Sequence, residues 1–183
     1  MTGCFVDAFF VRAGSTGARI GSETRLSDAT IGAAQPGWAW SFWTGAGYGV
    51  LFWHALSILG PGGSEAGPDV DLSFDDFSVP AWTGSEYGVV WYREDPDDRG
   101  LRLTRIGPDG GEIGTIDLAA GVRVNQSYSV AWTGSEYAVA WEMSAEDDPC
   151  VHVSLVGPGD AAPRRAVPVA GCLSHLTSRS IVW

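Results

Sequence analysis

By its pattern of apolar and polar positions, the chain is a succession of short alternating runs, and no segment combines helical spacing with helix caps. The clearest stretch lies near the middle. Val79 to Trp82 and Tyr87 to Tyr92 read as strands joined by Thr83-Gly84-Ser85-Glu86, which has the length and the glycine of a hairpin loop. Leu101 to Ile106 reads as a third strand, Gly107-Pro108-Asp109-Gly110-Gly111 as the strongest turn in the chain, and Ile113 to Leu118 as a fourth strand. In the second strand the period of two puts Tyr87, Val89 and Trp91 on one face and Gly88, Val90 and Tyr92 on the other. Both faces are apolar, which predicts a strand covered on both sides. Small residues at Gly49, Gly88 and Ala138 would let a neighbouring sheet approach closely.

This pattern repeats. Ala81-Trp82-Thr83-Gly84-Ser85-Glu86-Tyr87 returns unchanged as Ala131-Trp132-Thr133-Gly134-Ser135-Glu136-Tyr137, and Val89 and Trp91 return as Val139 and Trp141. A weaker copy runs from Trp43-Thr44-Gly45 to Tyr48-Gly49-Val50, and Ser180-Ile181-Val182-Trp183 matches the run-in Ser129-Val130-Ala131-Trp132. Gly14, Gly60, Gly107 and Gly157 each close an apolar run and open a turn, and the next motif Trp follows 29, 22, 25 and 26 residues later. From Trp43 to Trp82 is 39 residues and from Trp82 to Trp132 is 50, which bracket the ~40–50 residues of a propeller blade.

The expected fold is therefore all-β: a β-propeller segment of about three and a half four-stranded blades. A half blade (third and fourth strands) occupies residues 4–30, full blades occupy 37–76, 78–124 and 127–176, and the first strand of a further blade occupies 178–183. A closed four-bladed propeller is the alternative, and a β-sandwich would not need the repeat. Closing the ring through Ile181 to Trp183 would leave one blade without an interior strand. The expectation is accordingly an open arc, a piece of a larger propeller, with apolar faces at both ends that favour self-association.

Composition narrows the function classes. The 183 residues carry 22 acidic and 11 basic side chains, all of the latter Arg, for a net charge of -11. That balance argues against nucleic acid as the main partner. No apolar run reaches the ~20 residues of a membrane-spanning helix, so no membrane insertion is expected. Met1-Thr2-Gly3-Cys4 has no basic segment followed by an apolar core, so a secretion signal is not present in this chain.

The Trp-Thr-Gly-Ser-Glu-Tyr-x-Val-x-Trp hairpin, as it stands at Trp82 to Trp91 and Trp132 to Trp141, resembles a repeat of bacterial extracytoplasmic β-propeller proteins. The resemblance implies a secreted or cell-surface location and a structural role for the motif Trp, Gly and Tyr. It carries over no catalytic residue. The Trp-Asp dipeptide of WD40 blades, the paired-glycine signature of kelch blades and the Ser-x-Asp-x-Gly-x-Thr box of sialidase-like blades are all missing.

Candidate binding residues are acidic and aromatic. Glu94, Asp95, Asp97 and Asp98 lie between the second and third strands of one repeat, and Glu146, Asp147 and Asp148 in the matching loop of the next. Such carboxylates could hold Ca²⁺, which takes six to eight oxygens, or steer a cationic partner, although the Asp-x-Asp-x-Asp-Gly spacing of a calcium loop is missing. The competing reading is a pair of solvated loops. Trp38 and Trp40 precede the weakest repeat and are the candidates for stacking on a sugar ring, whereas Trp82, Trp91, Trp132 and Trp141 alternate as buried residues do. His54, His152 and His175 have no metal spacing, no cofactor motif appears, and no metal ligands are assigned. Cys150 and Cys172 each stand 11 residues from position 161 in the turn region between a third and a fourth strand, and are expected to form a disulfide that leaves Cys4 over. The expected function is an extracellular binding or scaffolding module for a protein or carbohydrate ligand. A polysaccharide-acting lyase or hydrolase domain is the alternative.

Overall fold

The computed structural model describes residues 8–26, 39–52, 55–72, 76–77, 80–124, 128–143 and 150–168. All regular structure in them is β, in four antiparallel sheets. The strands are β1 (Phe9–Ala13), β2 (Arg19–Arg25), β3 (Ala39–Trp43), β4 (Tyr48–Phe52), β5 (Ala55–Leu59), β6 (Val70–Asp71), β7 (Asp76–Phe77), β8 (Ala81–Trp82), β9 (Tyr87–Arg93), β10 (Gly100–Ile106), β11 (Glu112–Ala120), β12 (Ser129–Trp132), β13 (Tyr137–Glu142), β14 (Val151–Val156) and β15 (Arg165–Pro168). Two sheets are four-stranded meanders, β3-β4-β5-β6 and β12-β13-β14-β15, and β1 and β2 form a two-stranded sheet. In the fourth sheet, β11, β10 and β9 are followed by an edge in two pieces, because β7 and β8 both pair with β9.

That broken edge departs from the single first strand expected from Val79 to Trp82. Phe77 pairs with Trp91 and Ala81 with Gly88, so the register shifts by one residue between the two pieces. One residue is in excess, which is the count of a β-bulge. Pro80 falls in this gap, where a residue without an N–H costs the ladder least.

The hairpin loops explain the repeated motif. In Thr83 to Glu86 the Thr83 N–H donates to the Glu86 carbonyl (3.0 Å), and its hydroxyl accepts from the N–H groups of Ser85 (3.2 Å) and Glu86 (3.1 Å). In the second copy Thr133 N–H donates to the Glu136 carbonyl at 2.9 Å and its Oγ1 accepts from Glu136 N–H at 3.2 Å. Thr44 does the same with Gly47 in the weak copy. Gly45, Gly84 and Gly134 have φ of 89°, 106° and 99°, a region costly for a residue with a Cβ. Across each hairpin the motif Trp and Tyr are cross-strand partners in ring contact: Trp43–Tyr48 at 4.8 Å, Trp82–Tyr87 at 4.4 Å and Trp132–Tyr137 at 5.1 Å.

The chain divides into two units, Met1–Ser73 and Phe74–Trp183. In the first, the β1–β2 sheet packs on β3–β6 through Phe10, whose ring lies 4.9 Å from that of Tyr48, and Thr24 Oγ1 donates to the Gly63 carbonyl at 2.6 Å. In the second, the Val90 and Tyr92 face of β9 packs on the Tyr137, Val139 and Trp141 face of β13, with Leu101, Leu103 and Val156 in the same core. Gly88 makes the approach possible: a Cβ there would lie 2.3 Å from the Tyr137 ring. β9 is buried on both faces from Tyr87 to Tyr92, as its double apolar alternation predicts. Gly49 behaves differently from the expectation, since the group over it is Phe42, its own cross-strand partner on β3.

Candidate functional site

The turn between β9 and β10 carries the first acidic cluster. Its carboxylates do not converge. Asp95 is part of the turn itself, its Oδ1 accepting from Asp97 N–H (2.9 Å) and its carbonyl from Asp98 N–H (3.1 Å). Asp98 is an ion-pair partner: it bonds Arg102 through both carboxylate oxygens and accepts from Arg93 Nη1 at 3.1 Å. The hydrogen bond from Arg102, above all, holds the Asp98 carboxyl below its ordinary range. Arg102 also reaches Asp117 (2.8 Å), and both Arg93 and Arg102 lie 5.3 Å from the ring of Trp91. Trp91 itself is buried, with its indole N–H on Thr104 Oγ1 at 2.8 Å. Glu94, Asp95 and Asp97 remain exposed on the turn. Among the described residues no group of three or more His, Cys, Asp or Glu side chains is placed to hold a metal ion.

The second acidic cluster, Glu146, Asp147 and Asp148, lies outside the described residues, as do Trp38, Cys4, Cys172, His54 and His175. Cys150 is buried at the entrance to β14. Trp40 is on the surface of β3, 36% exposed, and Trp43 is more open at 54%. Trp91 and Trp141 are buried as expected, but Trp82 and Trp132 are only half-buried, because each sits at the loop end of an edge strand. His152 stacks on Trp141 (4.5 Å, 17°), and its Nε2 is buried without a hydrogen-bond partner among the described residues.

A buried, fully bonded polar trio was not foreseen from sequence. Glu86, the last residue of the hairpin motif, is buried beside Arg105 of β10 and Tyr137 of β13. Arg105 donates from Nε and Nη2 to the two carboxylate oxygens at 2.7 Å each, and the Tyr137 hydroxyl donates to Oε1 at 2.9 Å. Burial pushes Glu86 up, but the bonds from Arg105 and Tyr137 outweigh it and leave the carboxyl below its ordinary value. Burial, with the neighbouring carboxylate, pushes the Tyr137 phenol far above its ordinary range. With Tyr137 wholly buried, this trio is closed to a substrate and acts as a clasp between two sheets. One signal was available: the glutamate recurs in both strong copies of the motif, and an arginine stands one residue before the end of the third strand of only the first.

The second-strand Trp also has a recurring partner. Trp141 donates to Ser154 Oγ at 3.0 Å as Trp91 does to Thr104, and Ser57 holds the same place in β5, bonded to Asp69. Among the described residues no helix is long and apolar enough to cross a membrane. Comparison with protein-family models, with curated proteins and with solved structures finds no match for this chain.

Proposed function

We propose that the four sheets are successive blades of a β-propeller segment, and that the protein is an extracytoplasmic binding or scaffolding module. The observation that carries this reading is the docking of the sheet holding β9 on the sheet holding β13, face to face, with the glycine face of one motif copy against the tyrosine face of the next. A strand buried on both faces, with a glycine on one face and a tyrosine on the other, is suited to a stack of sheets and not to a single pair. The three Thr-Gly hairpins supply a rigid scaffold, and the turns between second and third strands supply the variable surface on which binding residues concentrate.

On that surface Glu94, Asp95 and Asp97 present exposed carboxylates above a turn braced by Asp98, Arg102 and Arg93. Their chemistry suits a cationic group on a protein, or the hydroxyls of a glycan with or without a bridging Ca²⁺. Binding to a glycan array, measured with Ca²⁺ and with chelator, tests the reading. We expect a ligand whose affinity falls in Glu94→Gln/Asp97→Asn. Binding that is indifferent to this double variant would remove the turn from the function.

A further inference from the structure

Four hairpins in this protein are built alike. In each, the glycine after the strand opens a turn: Gly14, Gly60 and Gly107 donate their N–H to the carbonyl four residues on (2.8, 2.8 and 2.7 Å), and Gly157 donates to Asp160 Oδ2 (2.7 Å). The N–H three residues on returns to the first glycine in all four, Gly157 included (2.9, 2.9, 3.0 and 3.1 Å). β1 is thus the counterpart of β5, β10 and β14. Those three strands share one register with the motif strand beside them. The residue before the turn glycine faces the motif Tyr (Leu59↔Tyr48, Ile106↔Tyr87, Val156↔Tyr137), and the next faces the small residue (Ile58↔Gly49, Arg105↔Gly88, Leu155↔Ala138).

β1 differs in having no such neighbour among the described residues: its sheet consists of β1 and β2 alone. Its composition suits one. Phe9 and Val11 are 51% and 52% exposed, whereas β5 is buried throughout. Counting back from the turn glycine, Arg12 holds the position of Arg105, the residue that clasps the motif glutamate.

We propose that the edge of β1 away from β2 is an acceptor for an antiparallel strand of the motif type, Thr-Gly-x-Glu-Tyr-small-Val-x-aromatic, donated by another polypeptide. In that pairing the incoming Tyr faces Ala13, the small residue faces Arg12, Val faces Val11 and the aromatic faces Phe9. The incoming Glu meets the Arg12 guanidinium as Glu86 meets Arg105. Backbone bonds along the edge supply affinity, and the register-matched side chains supply selectivity. The inference rests on the equivalence of the hairpins and stands whether or not the sheets form a propeller.

The probe is a synthetic peptide with the sequence of residues 83–93, offered to the full chain while amide exchange is followed. We expect saturable binding, with protection gained at residues 9–13. A scrambled peptide should not bind. Arg12→Glu should weaken binding about tenfold, the scale of one lost charge-assisted pair, and a peptide carrying Arg at the Glu position should restore it. A second variant, Val11→Thr, keeps the backbone edge and should retain most of the binding. Protection of residues 9–13 already complete in the free protein would overturn the proposal. So would equal binding of the scrambled peptide, or protection gained elsewhere.

Discussion

Glu86 shows how much one side chain can hold when three hydrogen bonds meet it out of water. Its side chain is 10% exposed and that of Arg105 16%, so the pair interacts with little solvent screening. Removing one member of such a pair leaves the other buried without compensation. We expect Glu86→Gln to destabilise the protein by about 2–3 kcal/mol, read by chemical denaturation, and Tyr137→Phe by about 1–2 kcal/mol. The pH dependence has a defined sign. The Glu86 carboxyl lies below its ordinary value of 4.5 when folded, so its contribution is present above that pH and is lost as pH falls through the folded value. Tyr137 is raised above 10, so its contribution is present below pH 10 and is lost as pH rises beyond it. Melting temperature against pH should therefore fall on both limbs. Glu86→Gln should flatten the acid limb, and Tyr137→Phe the alkaline one; unchanged limbs would show that the clasp is not a titrating unit.

At the scale of the hairpin, the threonine hydroxyl replaces a missing piece of backbone. Thr133 Oγ1 accepts from Glu136 N–H and donates to the Glu136 carbonyl (3.0 Å), and Thr83 is placed alike, with 3.2 Å to the Glu86 carbonyl. Thr133→Ala should cost about 1 kcal/mol, and Thr133→Ser, which keeps the hydroxyl, much less. Equal losses in the two variants would assign the effect to the methyl group. Gly134→Ala should cost at least about 1 kcal/mol, because its φ of 99° strains any residue with a Cβ. These loops were legible in the sequence, since the bonds run between neighbours three residues apart and the glycine requirement is local. The division of the edge into β7 and β8 was less so, although Pro80 marks the place.

At the scale of the molecule, the fit of Gly88 against Tyr137 decides how closely two sheets dock. Gly88→Ala puts a methyl group into the Tyr137 ring and should cost about 1–3 kcal/mol. The cost should shrink in a Tyr137→Leu background, and a double-mutant cycle measures the difference; additive losses would mean that the two residues do not share the contact. The expected bridge from Cys150 to Cys172 would tether the strand entering the second core to the chain beyond β15. Non-reducing peptide mapping should recover the two cysteines linked, and reduction should lower stability by about 3 kcal/mol. Recovery of both as free thiols from an oxidised preparation would refute the bridge.

What the sequence by itself determined is what depends on neighbours in the chain: all-β structure, strand positions within a few residues, and the Thr-Gly hairpin in three copies. It also foretold a second strand buried on both sides. Only the tertiary structure showed which partners meet at a distance. Phe42 rather than another sheet covers Gly49, Asp98 is taken by Arg93 and Arg102, and Glu86 bonds a tyrosine 51 residues away. Alternation assigns a residue to a face of its strand. It does not say what lies across that face, which is set by the packing of whole sheets and by burial that makes an unpaired charge costly.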